Sequence, residues 1–177
     1  NNGAAGVRVA ISNVLGAVND VAEICAAAHA AGARVVVDGA QGVAHLPTNV
    51  AQMDCDFFAF SGHKMYGPFG TGVLWGRQEW LTQMEPLIFG GEMISRVDER
   101  SAQWAEVPAR FEGGTPNAAG AVGLAAAIEW LRGLPAAAHA HVNQLAREAA
   151  EQLAALPGVQ VWGPREGRVA LVSFSVD

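Results

Sequence analysis

At 177 residues, 51% of them hydrophobic and 16% charged, the chain is long enough for one domain with a substantial core and the start of a second. That composition excludes a disordered chain, a collagen-like repeat and a small disulfide scaffold. Seventeen acidic residues against 11 Lys and Arg give a net charge of -6. The positive charges are too sparse and scattered for nucleic acid to be the main partner.

Residues 7–11 alternate apolar with small or polar side chains, the pattern of a strand, and a turn containing Gly16 follows. Asn19 stands at an N-cap position with Asp20 and Glu23 in the first turn, predicting a helix through Ala31 that Gly32 closes. Val35, Val36 and Val37 form a β-branched run without polar alternation, as in a strand covered on both faces of a parallel sheet, and Asp38 ends it. Residues 57–61 predict another buried strand and residues 71–75 a further one. Between them, residues 62–70 carry three glycines and a proline, which predicts a loop rather than a helix. From Gly90 to Gly114 the periodicity lapses over a stretch too long for an ordinary connection, so function or ordering against a partner is expected there.

Periodic helix returns after Asn117, over residues 118–131, and again over about residues 136–156. Two short strands follow, at residues 159–162 and 169–174. The pattern predicts an α/β fold: residues 1–133 as a mostly parallel sheet flanked by helices, and residues 134–177 as the beginning of a small α+β C-terminal domain. The chain begins at Asn1 without a Met and stops at Asp177 straight after a strand, so a piece of a longer protein is expected.

No apolar stretch reaches the roughly 18 residues a spanning helix needs, and no basic segment precedes an apolar one at the start, so no membrane association is expected. Cys25 and Cys55 are far apart, form no CxxC and lie in apolar surroundings. Both are expected as buried structural thiols in a reducing compartment, which places the protein in the cytoplasm.

Open α/β sheets bind ligands beyond the carboxyl ends of their strands. The residues predicted there are Asn13, Asp38 with Gln41, and Ser61 with His63 and Lys64. A lysine desulvated in such a crevice can act as a nucleophile toward an aldehyde. A carboxylate on the neighbouring strand can keep a heteroaromatic nitrogen protonated through a charge-assisted hydrogen bond. Ser61 and His63, in a turn that supplies backbone N–H groups, suit a phosphate. Those needs together match pyridoxal 5'-phosphate, whose chemistry requires a lysine Schiff base and an acidic partner on the ring nitrogen. A lone lysine in a glycine-rich loop is ordinarily a solvated surface residue and a lone strand-end Asp a turn-former; it is their joint occurrence on adjacent strands that carries the reading.

The sequences around Asn13 to Gly16, Val37 to Gln41, Asp54 to Phe57 and Ser61 to Pro68 resemble the fold-type I, class V aminotransferase-like family. Within it they are similar to the SufS-type cysteine desulfurases and selenocysteine lyases. Gly90 to Ile94 and Arg110 to Asn117 fit the same branch, so the resemblance covers nearly the whole chain. It implies Lys64 as the Schiff-base lysine, Asp38 as partner of the pyridine nitrogen, and Gln41 on the phenolic oxygen with Asn13 near that edge. Ser61 and His63 match phosphate-binding positions, and Thr115 matches a residue that reaches the phosphate of the neighbouring subunit in the family's homodimers. A helix opened by Asn117 agrees with anion binding at a helix N-terminus.

The implied reaction removes sulfur or selenium from cysteine or selenocysteine to give alanine, passing the sulfur to an acceptor protein for iron–sulfur cluster assembly. The family's sulfur-accepting Cys and carboxylate-gripping Arg lie C-terminal to this sequence, and its ring-stacking His lies N-terminal. Neither Cys25 nor Cys55 takes the nucleophile's place, so the chain alone is not expected to complete the cycle. Two rivals stay open: another class V enzyme (aminotransferase, epimerase or lyase), and a non-catalytic scaffold of the same fold. His139 and His141 are two apart and diverge on a helix, so no metal site is expected. His29 and His45 read as structural or solvated. The turn after the first strand lacks GxGxxG, and the five tryptophans form no stacking platform.

Overall fold

The computed structural model describes residues 5–177; residues 1–4, where the chain begins without a Met, lie outside the described residues. The elements in order are β1 (Ala5–Val9), α1 (Val21–Ala30), β2 (Arg34–Asp38), α2 (Gly42–His45), α3 (Val50–Met53), β3 (Phe57–Ser61), a 3-10 turn (Gly62–Met65) and β4 (Gly72–Gly76). They continue with α4 (Gln78–Gln83), β5 (Ile94–Val97), β6 (Ala102–Trp104), a second 3-10 turn (Ala109–Phe111), α5 (Ala118–Gly133), α6 (Ala136–Ala154), β7 (Val159–Trp162) and β8 (Ser173–Val176).

Four strands form the main sheet in the order β1-β2-β3-β4. The first three run parallel, with Val9 beside Asp38 and Asp38 beside Ala59, and β4 returns antiparallel to β3. The carboxyl ends of β1, β2 and β3 therefore share one edge of the sheet. β2 lies inside the sheet, and Val35 and Val37 are buried with Val21 and Cys25 of α1, Cys55 and Phe58. Removing such side chains from water stabilises the fold by roughly 1.5–3 kcal/mol for each large aliphatic or aromatic one.

Both cysteines are free and fully buried. Burial pushes the Cys55 thiol up to about 11, and burial followed by the Asp56 charge raises Cys25. These are inert core thiols rather than nucleophiles.

Several boundaries differ from the sequence expectation, each for an identifiable hydrogen-bonding or length reason. Asp20, not Asn19, caps α1: its Oδ1 accepts from the Glu23 amide at 3.0 Å, while Asn19 Nδ2 donates back to the Val9 carbonyl at 2.8 Å. The expected loop after β3 opens with the 3-10 turn, which ends at Tyr66 in the left-handed region. The aperiodic stretch 90–114 holds the antiparallel pair β5–β6, whose strands of four and three residues are too short to show a period. The last strand begins at Ser173 rather than residue 169, because the Val169 amide donates instead to the Gly16 carbonyl at 3.0 Å. The short helices α2, α3 and α4 were not apparent in the sequence.

Helix α6 packs on β7, which pairs antiparallel with β8. This C-terminal hairpin touches the turn after β1: Arg168 Nη2 donates to the Leu15 carbonyl at 3.3 Å, and the Ser173 hydroxyl donates to the Val14 carbonyl. No described helix is long and apolar enough to cross a membrane.

Candidate active site

Six of the seven predicted site residues lie on or just beyond the shared carboxyl edge. Asp38 is the last residue of β2 and is exposed, with Oδ1 accepting from the Ala40 amide at 2.9 Å. That bond is an Asx turn, which bends the chain off the sheet and holds the carboxylate at its rim. Gln41 follows at the start of α2 and does not cap it, so its amide is free of that duty. The α2 segment packs against the 3-10 turn after β3, drawing the Asp38–Gln41 bend toward that turn.

Ser61 closes β3 and likewise makes no side-chain cap to the turn it precedes. His63 and Lys64 occupy that turn and are both exposed. Asn13 lies in the bend beyond β1, held by Ser12 Oγ accepting from the Val14 and Leu15 amides at 3.3 and 3.1 Å. Its segment joins the edge because the Ala10 amide donates to the Asp38 carbonyl at 2.9 Å.

Glycines allow these turns to close. A Cβ on Gly39 would lie 2.0 Å from Phe58 Cζ, and one on Gly62 would lie 2.1 Å from Thr71 Oγ1. Phe58 belongs to the core and cannot yield, so only glycine lets the chain after Asp38 pass over β3. The loop after Lys64 is pinned at both ends: Gly67 N–H donates to Gly62 O at 2.9 Å, and Gly62 N–H donates to Thr71 O at 2.9 Å.

Thr115 stands apart, exposed in the loop before α5. Asn117 caps that helix, its Oδ1 accepting from the Gly120 amide at 2.9 Å. The helix packs on the 3-10 turn, with Leu124 beside Gly62 and Gly67. The Thr115 loop is set by a backbone crossing in which the Gly114 amide donates to Gly91 O at 2.8 Å and a Cβ on Gly90 would meet Gly113 at 3.0 Å. The two glycine pairs at Gly90–Gly91 and Gly113–Gly114 are thus one contact.

Two features escaped the sequence reading. Lys64 is the only lysine of the chain, the other ten basic residues all being arginine. A count of residue types would have found it. The second is an aromatic stack of Phe69 on His63, with centroids 5.4 Å apart and an interplanar angle of 15°. No spacing signals it, because the partners meet only when the loop folds back. Two cavities of about 530 and 690 Å³ lie elsewhere, between β1 and α1 and between α6 and β7. At the candidate edge Asn13, Asp38, His63 and Lys64 are each exposed. Among the described residues no group of three or more His, Cys, Asp or Glu could hold a metal ion.

The sequence model for aminotransferase class-V matches residues 7–177. A probable cysteine desulfurase of Halalkalibacterium halodurans is 48% identical over 168 residues, covering 94% of this chain and 41% of that protein. A probable cysteine desulfurase of Halobacterium salinarum is 45% identical over 171 residues, covering 96% of this chain and 41% of the other. Among solved structures, the cysteine desulfurase CsdA of Escherichia coli superposes with a TM-score of 0.92 at 41% identity, over 98% of this chain and 43% of that one. The cystine C–S lyase C-DES in complex with its product cysteine persulfide gives 0.84 at 30% identity, over 98% of this chain and 48% of that one. The same TM-score, at 29% identity, is found for a C-DES variant with glycine covalently linked to its PLP cofactor. The chain thus spans about 41% of the length of the curated relatives it matches.

Proposed function

This chain belongs to the aminotransferase class-V family, and from that premise we propose that it binds pyridoxal 5'-phosphate at the Asp38–Lys64 edge and serves in a cysteine desulfurase. The observation that carries the proposal is topological. Parallel pairing of β2 with β3 brings a carboxylate and a lysine turn to one sheet edge from segments more than 20 residues apart.

The residues present fit the group. The edge offers one amine, one carboxylate, an uncommitted amide and hydroxyl, and an imidazole, on turns that glycines hold closed. Lys64 Nζ would hold the aldehyde carbon, and Asp38 would keep a proton on the ring nitrogen by a charge-assisted hydrogen bond. Gln41, with Asn13 beside it, would face the phenolic oxygen, and Ser61 and His63 the phosphate. When bound, the cofactor supplies an electron sink conjugated to the substrate Cα. Lys64 Nζ would take and return the proton at that carbon. The substrate is cysteine or selenocysteine, alanine is the organic product, and the sulfur passes to an acceptor protein.

Titration with pyridoxal 5'-phosphate is expected to raise a visible absorption band, distinct from that of the free cofactor, that survives gel filtration. A protein that emerges colourless refutes the assignment. The proposal includes a homodimer in which Thr115 reaches the phosphate bound by its neighbour. Sedimentation as a monomer with undiminished cofactor affinity contradicts that part.

The similarity to C-DES favours one second reading, a C–S lyase with the same cofactor grip. The organic product separates the two. In the full-length protein, alanine from cysteine identifies the desulfurase, and cysteine persulfide from cystine the lyase.

A further inference from the structure

We propose that Phe69 is a positioning residue, holding the His63 imidazole in the plane from which it grips the cofactor phosphate; this rests on the cofactor reading above. Phe69 is 86% exposed, so burial does not hold its ring in place. Its ring nevertheless lies nearly parallel to the imidazole, 15° from it, with centroids 5.4 Å apart. A histidine on an exposed turn is free to rotate about its side-chain bonds, and each rotation points its ring nitrogens elsewhere. A stacked ring removes that freedom at one face and leaves the nitrogens at the rim available.

The loop is built to present the ring there. Gly67, Pro68 and Gly70 flank Phe69, Gly70 has φ +76°, and Thr71 Oγ1 donates to the Pro68 carbonyl at 2.7 Å. Pro68 is wedged against α5, where a Cβ on Gly123 would come within 2.5 Å of it. The hydrogen bonds from Gly67 N–H to Gly62 O and from Gly62 N–H to Thr71 O tie both ends of the loop to the residue preceding His63. Phe69 and His63 are therefore carried on one clamped frame. The stack is set by the backbone rather than by burial of the phenyl group.

The test compares pyridoxal 5'-phosphate with pyridoxal, which lacks the phosphate, by titrating each into wild-type, Phe69→Leu and Phe69→Tyr proteins and following visible absorbance. Leucine keeps apolar bulk but loses the aromatic face; tyrosine retains it. Phe69→Leu is expected to weaken pyridoxal 5'-phosphate by about 3- to 10-fold, the range of an aromatic pair, and to leave pyridoxal unchanged. Phe69→Tyr should restore wild-type affinity. In a His63→Gln background Phe69→Leu should add nothing, since its effect runs through the imidazole.

Equal weakening of both compounds, or an additive effect in the His63→Gln background, overturns the proposal. So does a Phe69→Leu protein altered only in self-association, which assigns the ring to a subunit interface. Wild-type protein that binds pyridoxal 5'-phosphate no better than Phe69→Leu overturns it alone. Wild-type protein that binds neither compound overturns the cofactor reading, and this proposal with it.

Discussion

Replacing Lys64 with alanine is expected to abolish reducible attachment of pyridoxal 5'-phosphate and to weaken its retention on the order of 100-fold, about 2.7 kcal/mol. The experiment is unusually clean because Lys64 is the only lysine of the chain. Borohydride reduction of the loaded wild-type protein should fix the cofactor on a single peptide, and peptide mapping should find it at Lys64. Lys64→Arg separates charge from covalency. A guanidinium keeps the positive charge at this position but stays protonated and cannot attack the aldehyde. If the assignment holds, Lys64→Arg retains some affinity and shows no reducible adduct. A visible band that persists in both variants would move the attachment away from Lys64 and remove the central residue of the proposed site.

The ligand edge was legible because its residues sit where short sequence signals are strongest. Val35 to Val37 is a β-branched run ending at a carboxylate, and Phe57 to Ser61 is an apolar run ending at a glycine-rich turn. Parallel pairing does the rest, since two parallel strands bring their carboxyl ends to one edge whatever lies between them. The start of α5 was legible for a similar reason, as Asn117 supplies a side-chain cap immediately before a periodic run.

What escaped was decided by contacts distant in sequence. Asn19 has every local qualification for a cap, yet its amide is drawn to Val9 and the adjacent Asp20 takes the role. The backbone crossing of Gly90–Gly91 with Gly113–Gly114 appears in sequence only as two unrelated glycine pairs. The run from Val169 looks like a strand from its first residue, but its opening is held by the turn around Gly16, some 150 residues earlier. His29 left no clue at all to its partner.

That partner is Asp56, and Asp56→Asn is expected to destabilise the fold by about 3–5 kcal/mol, the cost of breaking a buried, multiply bonded charge. Asp56 is 3% exposed at the amino end of β3. Its Oδ2 accepts from His29 Nε2 at 3.0 Å and from the Val35 amide at 2.7 Å, and its Oδ1 accepts from Trp80 Nε1 at 2.8 Å. Arg77 Nε lies 3.6 Å from Oδ1, and Arg77 and His29 both also approach Asp54. One carboxylate thus ties α1, β2 and α4 to the start of β3. An asparagine would present an NH2 to a ring of donors, leaving at least one pair of donors facing each other without an acceptor. Burial alone would raise this carboxyl, but the hydrogen bonds from His29, the Val35 amide and Trp80 outweigh it and hold it below the usual carboxylate range. A depressed folded value stabilises the native state above the unfolded pKa, about 3.9, and the contribution is lost as pH falls through the folded value. Urea unfolding should therefore show the full gap between wild type and Asp56→Asn at pH 7 and a shrinking gap below about pH 4. Because the five residues of β3 separate Asp56 from the ligand edge by about 17 Å, the folded variant should keep wild-type cofactor affinity. Equal midpoints at pH 7 would mean that the network contributes nothing to stability, and a loss of affinity in the folded variant would mean that the two ends of the sheet are coupled.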